Sequence, residues 1–304
     1  MSDSFVAEAK SLQPEWLKDF RAQQLQKFTE NGLPTRKNEL WKYTQIQQQD
    51  IPQAGGELNE TCSSAEWTHE SHISIVFVNG HFSEKLSHLE KLPKEIVLCT
   101  LAQALREKTN RIKPYLLHEY DGKSFPFATL NSAKMTDGVF LDIPDNMICD
   151  LPIHFLFIST RQNDFISHPR NVVIAGKHSQ VTIIEEYAAE NAERYFTNTL
   201  TEMDVHEDAR VTYYKIQNEA TDALHVANIF VQQQKDSIVK TFSFAKGARL
   251  AREDLRISQQ QNAAEVHAHG LYQLDHDAQH IDHHVHVDHL AAHGTSSMLY
   301  KGIL

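Results

Sequence analysis

Lys177-His178-Ser179-Gln180-Val181, Glu207-Asp208-Ala209-Arg210-Val211 and Lys235-Asp236-Ser237-Ile238-Val239 share one five-residue pattern: polar, small or acidic, small, any, then usually aliphatic. The pattern returns more loosely at residues 221–225, 246–250, 262–266 and 276–280. Its last positions, 181, 211, 225, 239, 250, 266 and 280, lie 30, 14, 14, 11, 16 and 14 residues apart, so the first interval holds about two units, one of them lost or degenerate. Strand-plus-turn units of similar length suit a solenoid, in which each coil stacks on the last and shares its core. The small residue would take the tight corner, and the final aliphatic would begin the next inward-facing strand. Short antiparallel strands of a sandwich would also give regular turns, so the pattern alone leaves both architectures standing.

Outward from these repeats, β-branched and aromatic runs fill the chain from Phe125 to the end, with little helical periodicity, and predict a long all-β domain over residues 125–304. Residues 1–124 read as a separate helical and mixed domain. Trp16, Leu17, Phe20, Leu25 and Phe28 fall near one helical stripe, closed by Asn31-Gly32. Ile73-Ser74-Ile75-Val76-Phe77-Val78 predicts a buried strand and Asn79-Gly80 its turn. A helix starting at Thr100 is expected to end before Pro114. Residues 51–56 read as a loop or linker.

The chain has 304 residues with 41% hydrophobic and 23% charged, ordinary globular usage, and a net charge of −11. An acidic chain is a poor nucleic-acid binder, since phosphate counterions are displaced by cationic faces. No apolar run approaches a bilayer span, and the first residues carry no basic-then-apolar leader pattern, which predicts a cytoplasmic protein with no membrane contact. Cys62, Cys99 and Cys149 are isolated and form no C-x-x-C, which fits a reducing compartment and excludes a self-contained thiolate cluster site. With 11 glycines there is no P-loop, no G-x-G-x-x-G after a strand and no G-x-S-x-G elbow. ATP, if used, must be bound by another chain.

Nine of the 19 histidines fall between residues 267 and 293. His267-Ala268-His269 and His284-Val285-His286 are H-x-H pairs, and on a strand residues i and i+2 share a face, so each pair could offer two imidazoles to one metal. His289 lies on the other face, beside His283, unless a bulge re-aims it. One reading is therefore a cupin-like metal-dependent β-fold enzyme using His284, His286 and His289, with His267 or His269. Such a site wants a carboxylate about four residues on, and Leu290-Ala291-Ala292-His293 supplies none. The other reading is a solvated histidine face alternating with Val285 and Val287, which needs no metal and could respond to pH.

Leu33-Pro34-Thr35-Arg36-Lys37-Asn38-Glu39-Leu40-Trp41-Lys42-Tyr43-Thr44, Thr129-Leu130-Asn131, Asp137-Gly138-Val139-Phe140-Leu141 and the closing Ser297-Met298-Leu299-Tyr300-Lys301-Gly302-Ile303-Leu304 resemble the SufB/SufD family of iron–sulfur cluster assembly proteins, on its SufD side. The resemblance runs over nearly the whole chain. It implies a helical amino-terminal region followed by a right-handed parallel β-helix. It implies a non-catalytic scaffold subunit that pairs with a SufB-like sister scaffold and a SufC-like ATPase, which supplies the missing nucleotide loop. The complex holds an iron–sulfur cluster transiently, so no cofactor is expected on this chain alone. Family members run on past the Tyr-Lys-Gly-Ile-Leu segment for on the order of 100 residues, which carry the last coils and the helical region that docks SufC. The sequence thus reads as a carboxy-terminally truncated member, to which SufC docking is not carried over. Gly294 stands where many members have Cys, and no catalytic residue transfers. A solenoid cut between coils shows an apolar cross-section, so a homodimer through that end is expected.

Overall fold

The computed structural model describes residues 14–52, 72–160, 164–275 and 278–304; Gly55-Gly56, Cys62 and His276-Asp277 lie outside them. Helix α1 (Glu15–Asn31) ends at Gly32, whose φ of +70° a Cβ would strain and whose N–H bonds the Phe28 carbonyl. The helix expected after Thr100 is two helices, α2 (Leu101–Glu107) and α3 (Thr109–Leu116), and Pro114 lies inside the second. The break falls at Lys108 instead. Pro114 is the sixth of the eight residues of the second helix, where its missing N–H forfeits one backbone bond and the helix ends two residues later. A second correction concerns the all-β region, which opens with helix α4 (Pro126–Lys134). Residues 126 to 133 are all buried, so this helix shows no apolar stripe for periodicity to detect.

The rest of the chain winds between two sheets. The first holds β1 (Ile73–Val78), β2 (His81–Phe82), β5 (Ile153–Ser159), β8 (Gln180–Ala189), β10 (Arg210–Asn218), β12 (Ile238–Lys246), β14 (Glu265–Gln273) and β16 (Thr295–Ile303), in the order β2-β1-β5-β8-β10-β12-β14-β16. The second runs β3 (Val97–Thr100), β4 (Val139–Ile143), β7 (Arg170–Ala175), β9 (Tyr195–Val205), β11 (Leu224–Gln233), β13 (Leu250–Gln259) and β15 (His280–His289), with β6 (Phe165–Ser167) also on β9. Pairing is antiparallel only at β1–β2 and β3–β4; all other pairs among the named strands are parallel. From β7 onward successive strands alternate between sheets, so the fold is a parallel β-solenoid of about five turns and not an antiparallel sandwich.

The repeated pentapeptide is one of the two corners of each coil. Its second residue takes the left-handed conformation: His178, Asp208, Asp236, Ala263 and His293 have φ between 55° and 62°. Each backbone N–H at that position bonds the first corner residue of the next coil: His178 to the Glu207 carbonyl at 2.9 Å, Asp208 to Lys235 at 3.0 Å, Asp236 to Asn262 at 3.1 Å and Ala263 to Ala292 at 3.0 Å. The third residue, Ser179, Ala209, Ser237 or Ala264, is buried where the chain turns inward. Val181, Val211, Val239 and Val266 then begin the inward row, 30, 28 and 27 residues apart. A coil therefore contains two of the sequence units, and the unit missing near residue 195 is the opposite corner, residues 190–194, written in different residues.

Inside, Val181, Ile183, Val211, Val239 and Val266 pack against Met203, Val205, Ile229, Val231, Leu255 and Ile257 of the facing sheet. Each such side chain contributes about 1.5–3 kcal/mol by burial. The outer face of the second sheet is covered by the amino-terminal region. There Phe28, Trp41, Ile46, Ile51, Phe127 and Leu130 pack on Phe196, Leu224, Val226 and Leu250.

Candidate functional site

The segment of residues 33–44 is a clasp on the outer face of the second sheet. Asn38 Oδ1 accepts the Thr35 N–H at 2.9 Å, and a single 3₁₀ turn, Glu39–Trp41, swings the indole inward. Trp41 is fully buried, donates from Nε1 to the Ser124 carbonyl at 3.1 Å and packs against Phe127. The Arg252 guanidinium lies 4.0 Å from the centre of the indole ring. That arginine is itself buried and saturated. Nε and Nη2 grip Asp254 at 2.8 and 2.7 Å, and Nη1 reaches Asp282 at 2.6 Å. Thr44 closes the clasp by donating to Asp282, with His280 Nε2 3.0 Å from the same hydroxyl. Tyr43 projects outward, 80% exposed, and is the one aromatic of the segment left to solvent.

The other motif residues join coil to helix. Asn131 Nδ2 donates to the carbonyls of Pro169 and Asn198, both at 2.8 Å, and so ties α4 across two coils. Asp137 Oδ1 accepts the Ala102 N–H at 3.0 Å at the start of α2. Gly138 is obligatory, since a Cβ there would overlap the Arg170 backbone. Arg170, also fully buried, pairs with Glu202, which accepts from the Tyr120 hydroxyl. Arg170 and Arg252 were not marked by the sequence reading; both occupy outward positions that look solvent-facing until the helical region is docked.

The histidines are dispersed. His267 and His269 lie on the outer face of the first sheet, whereas His284 and His286 lie on the outer face of the second, so the two H-x-H pairs cannot meet. Each of three has a carboxylate: His267 with Glu265 at 2.5 Å, His284 with Asp254 at 3.3 Å and His286 with Asp288 at 2.7 Å. His289 points into the coil, as alternation predicts, and its Nε2 lies 3.1 Å from Ser296 Oγ. It extends the inward column of the buried Gln233 and Gln259, in register on adjacent strands, but is itself exposed. Gln259 Nε2 in this column donates to the carbonyls of Ala264 and Thr295, stitching one corner to the next. No group of three His, Cys, Asp or Glu side chains among the described residues is arranged to hold a metal ion. Burial pushes the Cys99 thiol up to about 11, with Glu107 adding to it, and raises Cys149 as well, so both remain thiols at neutral pH.

At the far end, β15 and β16 are the outermost strands of their sheets. Val285, Val287 and Tyr300 are half-buried there, and Leu290, Met298, Leu299 and Ile303 are exposed. Among the described residues, no helix is long and apolar enough to cross a membrane.

Two family models cover the chain: "SufBD protein N-terminal region" over residues 4–155 and "SUF system FeS cluster assembly, SufBD core domain" over residues 157–304. Similar proteins include an iron–sulfur cluster assembly SufBD family protein of Synechocystis sp., 30% identical over 248 residues, which cover 77% of this chain and 54% of that protein. The chloroplastic protein ABCI7 of Arabidopsis thaliana is 22% identical over 274 residues, 85% of this chain and 56% of that one. A SufBD family protein of Staphylococcus haemolyticus is 26% identical over 250 residues, 74% and 52% of the two chains. The chain thus spans about half the length of the curated relatives it matches.

Proposed function

Because this chain belongs to the SufBD family of iron–sulfur cluster assembly proteins, we propose that it works as a non-catalytic scaffold subunit on the SufD side of the family. Its sister would be a SufB-like scaffold, and a SufC-like ATPase would supply the nucleotide chemistry. The cluster is then the cargo of the assembled complex, held transiently and passed to apoproteins, in the cytoplasm.

The observation that carries this reading is the pair of SufBD family matches, over residues 4–155 and 157–304, on a parallel solenoid joined to its helical region by the clasp. The clasp makes the helical region and the solenoid one body, since the buried arginine joins residues 41 and 44 to the last coils. The reading also accounts for the dispersed histidines. A scaffold positions a partner's ligands and needs no converging set of its own.

Light scattering after size exclusion tests the proposal with the cognate sister scaffold and ATPase. Co-elution with the sister scaffold is expected. Binding to that scaffold but not to the ATPase would place ATPase docking outside these residues. A chain that bound neither and remained a monomer at all concentrations would refute the scaffold reading for this span.

A further inference from the structure

Part-way along each strand the interior of the solenoid changes from aliphatic to polar. Glu185, Lys215 and Ser243 hold the same inward position on β8, β10 and β12, and Ala227, Glu253 and His283 do so on the facing sheet. Glu185 is 0%, Lys215 2% and Glu253 3% exposed. Two carboxyls therefore stand beside a single ammonium in a closed space. Lys215 Nζ lies 3.4 Å from Glu253 Oε2 and 5.6 Å from the centre of the Tyr187 ring, and Ser243 donates to Glu253 at 2.7 Å. Glu253 is thus the carboxylate that the lysine serves. One coil corner away, the Glu219 carboxylate lies 2.9 Å from His225 Nδ1, and burial drives that imidazole toward neutrality.

Glu185 is held by neutral groups. Its Oε2 accepts from Asn171 Nδ2 at 3.1 Å and from Thr201 Oγ1 at 2.8 Å. Its Oε1 is 2.8 Å from the Tyr187 hydroxyl, which is in turn 2.6 Å from Thr199 Oγ1. The groups facing it are Asn171 from β7, Thr199 and Thr201 from β9, Tyr187 on its own strand, and Tyr213 and Lys215 from β10. None of the ion pairs among the described residues includes Glu185. A buried carboxyl without a counterion neutralises by taking a proton.

We infer that Glu185 is a neutral carboxylic acid at physiological pH, a stored proton standing in the solenoid interior for the cation that Lys215 gives to Glu253. The hydrogen bonds close in this form. Oε2 is the carbonyl oxygen and receives Asn171 and Thr201. The Oε1 hydroxyl donates to Tyr187, and Tyr187 donates to Thr199. Burial raises the Glu185 carboxyl above its ordinary value of 4.5, in keeping with this arrangement. The folded chain then carries one proton more than the unfolded chain once the pH passes that ordinary value. Stability is full below it, falls as the pH rises and levels off only where the folded carboxyl titrates.

Infrared spectroscopy of the whole chain, with carbon-13 glutamate, tests the inference. The wild type at pH 7 should show the carbonyl stretch of a protonated carboxylic acid, and Glu185→Gln should abolish it. Glutamine mimics the neutral acid, so E185Q should fold and melt close to the wild type at pH 7. It should also remove one proton from the pH dependence of unfolding. Between about pH 5 and 7 the unfolding constant of the wild type should rise, relative to E185Q, close to tenfold per pH unit. Glu253→Gln, which takes away the lysine's counterion, should instead lower the melting temperature sharply. Absence of the band from the wild type, its survival in E185Q, equal pH slopes for the two proteins, or collapse of E185Q would each overturn the inference.

Discussion

Acid should unfold this protein through histidines that the fold keeps neutral, and His168 allows the size of the effect to be worked out. Its ring is buried against Phe196, and its Nδ1 lies 3.1 Å from Asn198 Nδ2, an amide donor that requires an unprotonated nitrogen there. Desolvation, with Lys134 and Arg21 nearby, holds it down to about 3 against an ordinary 6.5. The folded value is depressed, so the unfolded chain takes the proton first. The contribution is intact above pH 6.5 and is lost as the pH falls toward 3. At pH 4.5 the gap from 6.5 is two units, or about 2.7 kcal/mol. His225 and His283 are lowered in the same direction, chiefly by desolvation, and add to the acid limb. His168→Asn keeps an acceptor for Asn198 and removes the titration. Urea unfolding followed by tryptophan fluorescence at pH 7.5 and 4.5 should show the wild type losing about 2.7 kcal/mol more than the variant. Any packing cost of the substitution cancels in that difference. Parallel losses in the two proteins would mean that His168 is not held neutral by the fold, and the reasoning would fail.

Replacing Arg252 with methionine should destabilise by about 3–5 kcal/mol, because Asp254 and Asp282 would be left without their cation; thermal unfolding and limited proteolysis near residue 44 would report it. Asn131→Ala removes two buried donors and should cost about 2–4 kcal/mol, measured as a lowered urea midpoint. Gly138→Ala should reduce soluble yield more than any other glycine-to-alanine change in the solenoid except Gly247→Ala, since both would drive a Cβ into backbone atoms. His286→Ala should leave the metal content of purified protein unchanged by elemental analysis, as that imidazole faces Asp288 and no converging set; loss of a stoichiometric metal would revive the enzyme reading.

What the sequence disclosed and what it hid divide along locality. A corner is written in five consecutive residues: the second must tolerate a left-handed backbone, the third must be small, and the fifth must be apolar. The pattern therefore makes the solenoid legible beside the sandwich, although the unit it shows is half of a true coil. The two corners of a coil are chemically different, and only one is regular. Helix α4 was hidden for the opposite reason, because burial on every side erased its period. The prominence of histidine near the end directed attention to metal chemistry, yet composition carries no information on convergence, and alternation between the sheets sends the two H-x-H pairs to opposite walls.

The clasp and the buried carboxyl share a deeper obstacle. Arg252 is 211 positions from Trp41, and Glu185 lies 30 from Lys215, a full coil away in sequence but adjacent in space. Each charge looks like an ordinary surface residue until register is known. Strands β11 and β13 are buried on both faces over their first six residues and alternate only afterwards. A charged pair such as Arg252 and Asp254 on the covered stretch must find partners or unfold the strand. Trp41, Thr44 and Asp282 are those partners, so the amino-terminal motif and the last coils form one mechanical unit. It follows that a load on β15, which carries Asp282, is felt at residues 41–44. A cysteine-linked probe at the exposed Tyr43 position should accordingly gain mobility in the Asp282→Asn variant, and an unchanged signal would show that residues 41–44 are not held through β15.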